Sequence, residues 1–311
     1  MSLRLAPALL FALILNASAA PAEEPPARFK VGDTFNQQVI VSRRSAFQIV
    51  GLDVVKWAQY SFVSSFAITK VNEDGSLEAQ QTIKAARLID ADPDLRAPMA
   101  AALLKTQGVK LELTVRPNGD VATLKAPKVV IQVQMGGDVA VGQSLRLWSL
   151  LDADAWKELD GRTFFLPEKP LRSHPSLAQP PDREPWTRDL VHDWGALGSW
   201  SGKTIYADKG KERGKKDLER IEYRHDITYK SPAKGADRDH PLRVLKTEFK
   251  PLAAGGVMLF DPAARKVAVV EETFRVRGTA LVSLGGTEAT IDMEELQGFR
   301  INVAEPAVKK K

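Results

Sequence analysis

The sequence predicts a mainly β protein: one or more curved antiparallel sheets, half-barrel or sandwich-like, with two short helices. Two observations predict it. Apolar and polar residues alternate with period two over most of the chain beyond residue 30, which is the signature of half-buried strands. The alternating runs are punctuated by Asp74-Gly75, Asn118-Gly119, Asp261-Pro262 and Gly285-Gly286, which are turn signals.

The alternation is plainest near the C-terminus. Between Ala289 and Val303, residues 289, 291, 293, 299, 301 and 303 are apolar, and only Glu295 and Gln297 break the phase. Taken from the start, a first strand covers Phe35 to Val41. Residues Ser45 to Trp57 fit either a strand or a short helix. Tyr60 to Val71 and Leu77 to Leu88 form a hairpin about Asp74-Gly75. Leu95 to Thr106 is rich in Ala, Leu and Met and reads as a helix, with Asp92 placed to cap it, Pro93 at its first position and Gly108 at its end. Val109 to Arg116 and Val121 to Leu124 are strands about Asn118-Gly119. Val129 to Val133 is a further strand, and Ser149 to Leu159 reads as a second helix.

Six prolines fall between residues 167 and 186. Proline donates no backbone hydrogen bond, so this stretch is a linker or surface strap. Beyond it, strands are expected at Glu219–Tyr229, Leu242–Phe249, Val257–Phe260, Lys266–Arg277 and Thr279–Leu284. The predicted organisation is a signal peptide at 1–20, an N-terminal β half at 21–166 beginning with a loose arm, the strap at 167–186, a C-terminal β half at 187–305 and a disordered tail at 306–311.

The first twenty residues carry Arg4, an apolar run from Leu5 to Leu15 and Ala17-Ser18-Ala19. These are the three parts of a cleaved export signal, and the run is too short to span a bilayer. A periplasmic or secreted location follows. There is no cysteine, so neither a disulfide nor a lipid-modified N-terminal cysteine is available, and the core alone must stabilise the fold. Without Arg4, 43 of the 44 basic residues remain against 39 acidic ones, a charge of +4. That small, dispersed excess argues against a nucleic-acid partner. No later segment is apolar enough to cross a membrane as a helix.

The candidate chemistry thins out on inspection. Gly195 to Thr204 ends like a phosphate-binding loop, but Leu197 stands where the first glycine is needed, and Trp200 occupies the nucleophile position of a hydrolase elbow. The four histidines, 174, 192, 225 and 240, show no metal-ligand spacing. His225 shares a face with Ile221, Tyr223 and Ile227, so it reads as a hydrogen-bonded core histidine. The basic loop Lys209–Lys216 also holds acids and reads as solvated. No catalytic residue, metal or cofactor is assigned. The least ordinary feature is aromatic: Trp186, Trp194, Trp200 and Tyr206 fall just after the strap, suited to a core or to the wall of an apolar ligand groove.

Gly32-Asp33-x-Phe35, Asp74-Gly75, the run Gly108 to Gly119, L-G-x-W-x-G-x-T-x-Y over Leu197 to Tyr206 and G-x-x-x-F-D over Gly256 to Asp261 resemble, in this order, a family of secreted β-rich bacterial proteins without an assigned activity. The resemblance implies fold and compartment, and no residue roles. A looser similarity is to periplasmic lipoprotein carriers, which curl an antiparallel sheet into a half-barrel around helices; the two predicted helices would then be the plug. The expectation is a non-enzymatic envelope protein that binds a lipid, another apolar ligand or an envelope protein. The alternatives are an envelope structural or assembly protein, and a hydrolase using His192, His225 or His240 with a nearby Asp.

Overall fold

Strands from the two ends of the chain meet in the middle of one sheet. The computed structural model describes residues 28–49, 51–125, 130–133, 145–149, 153–168, 184–193, 198–215, 217–232, 243–284 and 286–305. The strands are β1 (Thr34–Ile49), β2 (Leu52–Val71), β3 (Leu77–Ala91), β4 (Lys110–Val115), β5 (Val121–Lys125), β6 (Val130–Val133), β7 (Leu145–Ser149), β8 (Trp186–Asp193), β9 (Ser199–Lys211), β10 (Glu219–Lys230), β11 (Arg243–Asp261), β12 (Lys266–Leu284) and β13 (Thr287–Ala304). The helices are α1 (Pro93–Thr106) and α2 (Ala153–Thr163). Eleven strands form one antiparallel sheet in the order β5-β4-β3-β2-β1-β13-β12-β11-β10-β9-β8, curved and not closed into a barrel; β6 and β7 pair separately. The mainly β expectation with two short helices therefore holds.

Several elements differ from their sequence expectations. Of the two readings of residues 45–57 the strand holds, but as parts of two long strands: 45–49 end β1 and 52–57 begin β2, with Ile49 paired to Leu52. The two expected strands on either side of Pro251 are one strand, β11, and those on either side of Gly278 are one strand, β12. Helix α2 starts and ends four residues later than expected, because Leu145–Ser149 is already engaged with β6. Asp92 does not cap α1. Its carboxylate accepts the Trp57 backbone N–H at 2.7 Å and ties the end of β3 to β2.

The expected loose arm is docked at its end. Phe29 is buried among Phe35, Phe66 and Phe164, and the Arg28 guanidinium donates to the carbonyl oxygens of Phe164 and Phe165 at 2.6 and 3.0 Å. These carbonyls follow α2, so Arg28 meets the negative end of that helix. Residues 1–27 and 306–311 lie outside the described residues, as do 169–183 of the expected strap.

One face of the sheet is inward. On β1 it carries the odd residues 35 to 47, on β2 the even residues 58 to 68, on β12 the even residues 270 to 282 and on β13 the odd residues 291 to 303, in register across the ladders. The main core packs Val39, Val41, Phe62, Ile83 and Ile301 against Leu95, Met99 and Leu103 of α1 and Trp156 and Leu159 of α2. A separate core holds Phe47, Trp200, Ile227, Phe249, Val276 and Ile291, all from strands.

Candidate functional site

Helix α2 lies inside the curve of the sheet, and its buried surface is half polar. Trp156 and Leu159 are apolar anchors, but Glu158, Asp160, Arg162 and Thr163 also face protein. The helix is thus held by two different polar clusters.

On the β8–β12 side, Arg162 forks onto both carboxylate oxygens of Glu272, the Nη2–Oε1 arm being 2.7 Å. Tyr223 donates its hydroxyl to Glu272 at 2.7 Å, and His225 Nε2 lies 3.3 Å from the other oxygen. His225 Nδ1 lies 2.8 Å from Thr204 Oγ1. One helical turn earlier, Glu158 lies 3.8 Å from Arg162 and 2.7 Å from His192 Nδ1. Burial pushes the Glu272 carboxyl up, but the Arg162 charge and the His225 contact outweigh it and hold the acid well below the usual range. Arg162 is raised in turn: burial lowers it, and Glu272 more than compensates. This is a forked, charge-assisted pair that stays ionised.

On the β1–β3 side the cluster is uncharged at neutral pH. Gln37 Nε2 donates to Thr163 Oγ1 at 2.7 Å and to Asp160 Oδ1 at 3.4 Å; Gln81 Nε2 donates to Gln37 Oε1 at 3.3 Å and to Ser64 Oγ at 3.1 Å. Asp160 is fully buried, and burial, opposed only by the Gln37 bond, pushes its pKa up to about 8. Further along the inward face, Arg43 and Ser45 both bond to the buried Glu295. Burial raises Glu295, and its two partners oppose the shift.

Glycines let aromatic rings lie flat on this face. A Cβ on Gly256 would stand 2.8 Å from the Tyr223 hydroxyl, and one on Gly278 would stand 2.4 Å from the Phe249 ring. The same device appears in cross-strand aromatic–glycine pairs generally.

The structure distributes the aromatic residues singled out from the sequence. Trp186 on β8 stacks on Tyr206 of β9, with ring centroids 5.4 Å apart and 13° between planes, and Tyr206 meets Phe165 at 5.0 Å. Arg188 lies over Phe165 at 4.6 Å and reaches Asp120 and the Leu166 carbonyl, linking edge strand β8 to the β4–β5 turn. Trp200 belongs to the other core, against Tyr229 and Phe274. Trp194 lies outside the described residues, as do His174 and His240. His192 and His225 are joined through Glu158, Arg162 and Glu272, so their partners are glutamates rather than Asp193 and Asp226. Among the described residues, no group of three or more His, Asp or Glu is arranged to hold a metal ion, and no helix is long and apolar enough to cross a membrane.

No family model matches the sequence, and no curated protein matches it. Among solved structures, the fold is distantly similar to lipovitellin, in a structure concerned with its lipid–protein interactions: 12% identity over 91% of this chain and 26% of that one, TM-score 0.40. This chain thus spans about a quarter of the length of that relative. A second likeness is to an outer membrane channel from Pseudomonas putida F1, at 8% identity over 91% of this chain and all of that one, TM-score 0.16. Neither likeness is close enough to bear on what this chain binds.

Proposed function

We propose that this is an exported, non-enzymatic protein of the cell envelope that binds an apolar ligand on the inward face of its sheet. The observation that carries the reading is how that face is occupied. The sheet is long, curved and lined with flat aromatic rings, yet what fills its main hollow is α1 and the short helix α2, whose sheet-facing side is half polar. A helix fixed permanently in place would be stabilised more simply by apolar contacts, since a buried ion pair adds little net stability over them. A half-polar plug is instead specified in position, because its polar groups meet their partners in one placement of the helix.

Against a hydrolase, both described histidines are committed: His225, with a side chain 4% exposed, to Glu272 and Thr204, and His192 to Glu158. A reading as an assembly protein that recruits strands is less favoured at β11, where Pro251 and the exposed Lys246 and Lys250 oppose an added strand.

The test is native mass spectrometry of the protein purified from its own envelope, followed by solvent extraction, with titration of the stripped protein by a hydrophobic fluorescent probe. A co-purifying apolar molecule and saturable probe binding are expected. A clean mass together with no probe binding would overturn the reading.

A further inference from the structure

The ladder between β10 and β11 ends before either strand does. It runs from Glu219 opposite Phe260 to Arg224 opposite Gly255 and stops. β10 continues to Lys230, paired to β9 throughout, and β11 extends back to Arg243, paired to β12. The sheet therefore parts into two leaves, β8–β10 and β11–β13 with β1. The strand-only core lies between them: Trp200, Ile227 and Tyr229 come from one leaf, and Phe249, Phe274 and Val276 from the other. The last rung is tight, since a Cβ on Gly255 would stand 2.3 Å from the Tyr223 carbonyl oxygen.

The β11 side of this seam is built as a lasting free edge. It carries Pro251, which cannot donate to a ladder, register shifts at 244/246 and 251/253, and the exposed Lys246 and Lys250. Proline, bulges and lysine are the devices by which edges refuse another strand. An added peptide strand is thus the wrong occupant.

Side chains, not backbone, bridge the seam. Tyr229 donates its hydroxyl to Thr247 Oγ1 at 2.5 Å, Ser231 donates to the Thr247 carbonyl oxygen at 2.7 Å, and the Tyr229 and Phe249 rings meet edge-on at 5.2 Å. The two strands stay close across the seam, since Ser231 reaches the Thr247 backbone directly, so a ligand must part these side-chain bridges to pass. On the outer rim stand Arg224, Lys230, Lys246 and Lys250, exposed and without an ion pair among the described residues, against the acids Asp226 and Glu248.

We infer that the seam between β10 and β11 is a lateral entry for a free long-chain carboxylate. Its alkyl chain passes the Tyr229–Thr247 bridge and lies between the leaves on Trp200, Ile227, Phe249 and Phe274. Its anionic head stays on the cationic rim. This rests on the apolar-ligand reading and names the ligand class and its route.

The chain's lack of cysteine makes a clean test. The pair Ser231→Cys and Thr247→Cys is oxidised, or closed with a short bifunctional thiol reagent, and the uptake of cis-parinaric acid and of its methyl ester is followed by stopped-flow fluorescence. Closing the seam should slow uptake of the acid by about tenfold or more, and opening the cross-link should restore it. Tyr229→Phe, which keeps the ring and loses the bridge, should take up the acid faster than the native chain. The native protein should favour the acid over the ester by roughly fivefold at low salt, and Lys246→Gln with Lys250→Gln should abolish that preference. Uptake of the acid through a closed seam at the native rate, or equal binding of acid and ester, overturns this inference and leaves the apolar-ligand reading standing. Binding of neither probe by the native protein overturns both.

Discussion

The two flanks of α2 hold the same helix by opposite means. Toward β10 and β12 it offers Arg162 to a carboxylate that is kept ionised by an arginine, a tyrosine and a histidine. Toward β1 and β3 it offers Asp160 to a glutamine, and among the described residues no cation acts on it. Both acids are buried, yet one is pushed far down and the other up to about 8. Burial has the same sign in both; the partner decides the outcome. One flank is therefore an ion pair with high cost of disruption, and the other is a neutral acid sensitive to pH.

The largest effect should come from breaking the ion pair on one side only. Arg162→Met leaves Glu272 buried without its cation and should cost about 3–5 kcal/mol in urea denaturation, while Arg162→Met with Glu272→Leu should recover most of that loss. Equal losses in the single and double variants would mean that charge pairing is not what distinguishes this flank. Tyr223→Phe removes a hydrogen bond to a buried charge and should cost about 1.5–3 kcal/mol by the same measurement.

The neutral flank is tested by pH. Asp160 has a folded pKa raised from 3.8 to about 8, so its contribution is fully present below pH 3.8, declines as pH rises from there and is lost above about 8. Glu272 behaves oppositely: its contribution is present above pH 4.5 and is lost only as pH falls into the strongly acid range. Asp160→Asn should therefore stabilise the protein more at pH 8 than at pH 5, by roughly 3–4 kcal/mol, and flatten the profile of Tm against pH between those values. A profile that keeps its slope in the variant would place the titrating group elsewhere. The smallest change belongs to the outer surface, where Lys70 and Glu78 pair with both side chains about half exposed; Lys70→Ala should shift stability by no more than about 0.5 kcal/mol.

Much of this architecture could be read from the period-two pattern, including the inward face of β13 and the company His225 keeps. The polar clusters could not be read from α2, because Glu158, Asp160 and Arg162 look like the solvated side of any short helix. Their signal lay on the strands instead. Glu272 stands in phase with Val270, Phe274 and Val276, and Glu295 in phase with Met293 and Phe299, so these two exceptions to the alternation mark carboxylates buried on the apolar face. Gln37, Ser64 and Gln81 occupy the same kind of position. The seam left a trace too. Two strands were expected, at Leu242–Phe249 and Val257–Phe260, where there is one; the strand is continuous along β12, and its ladder to β10 stops at Gly255. A break on one edge and continuity on the other produce the same local sequence, which is why pattern alone chose wrongly.

The pairing of β1 with β13 sets a timetable. Asn36 lies opposite Ala304, so the rung at the middle of the eleven-strand sheet joins residues from nearly the two ends of the chain. Contacts so distant in sequence are the slowest to close. A ribosome or a translocation channel releasing this chain from its N-terminus onward must deliver almost all of it before the middle of the sheet can zip. Until then β1 to β5 and β8 to β12 are two unfinished sheets, each with an open flank, and the final eighteen-residue strand is the piece that joins them.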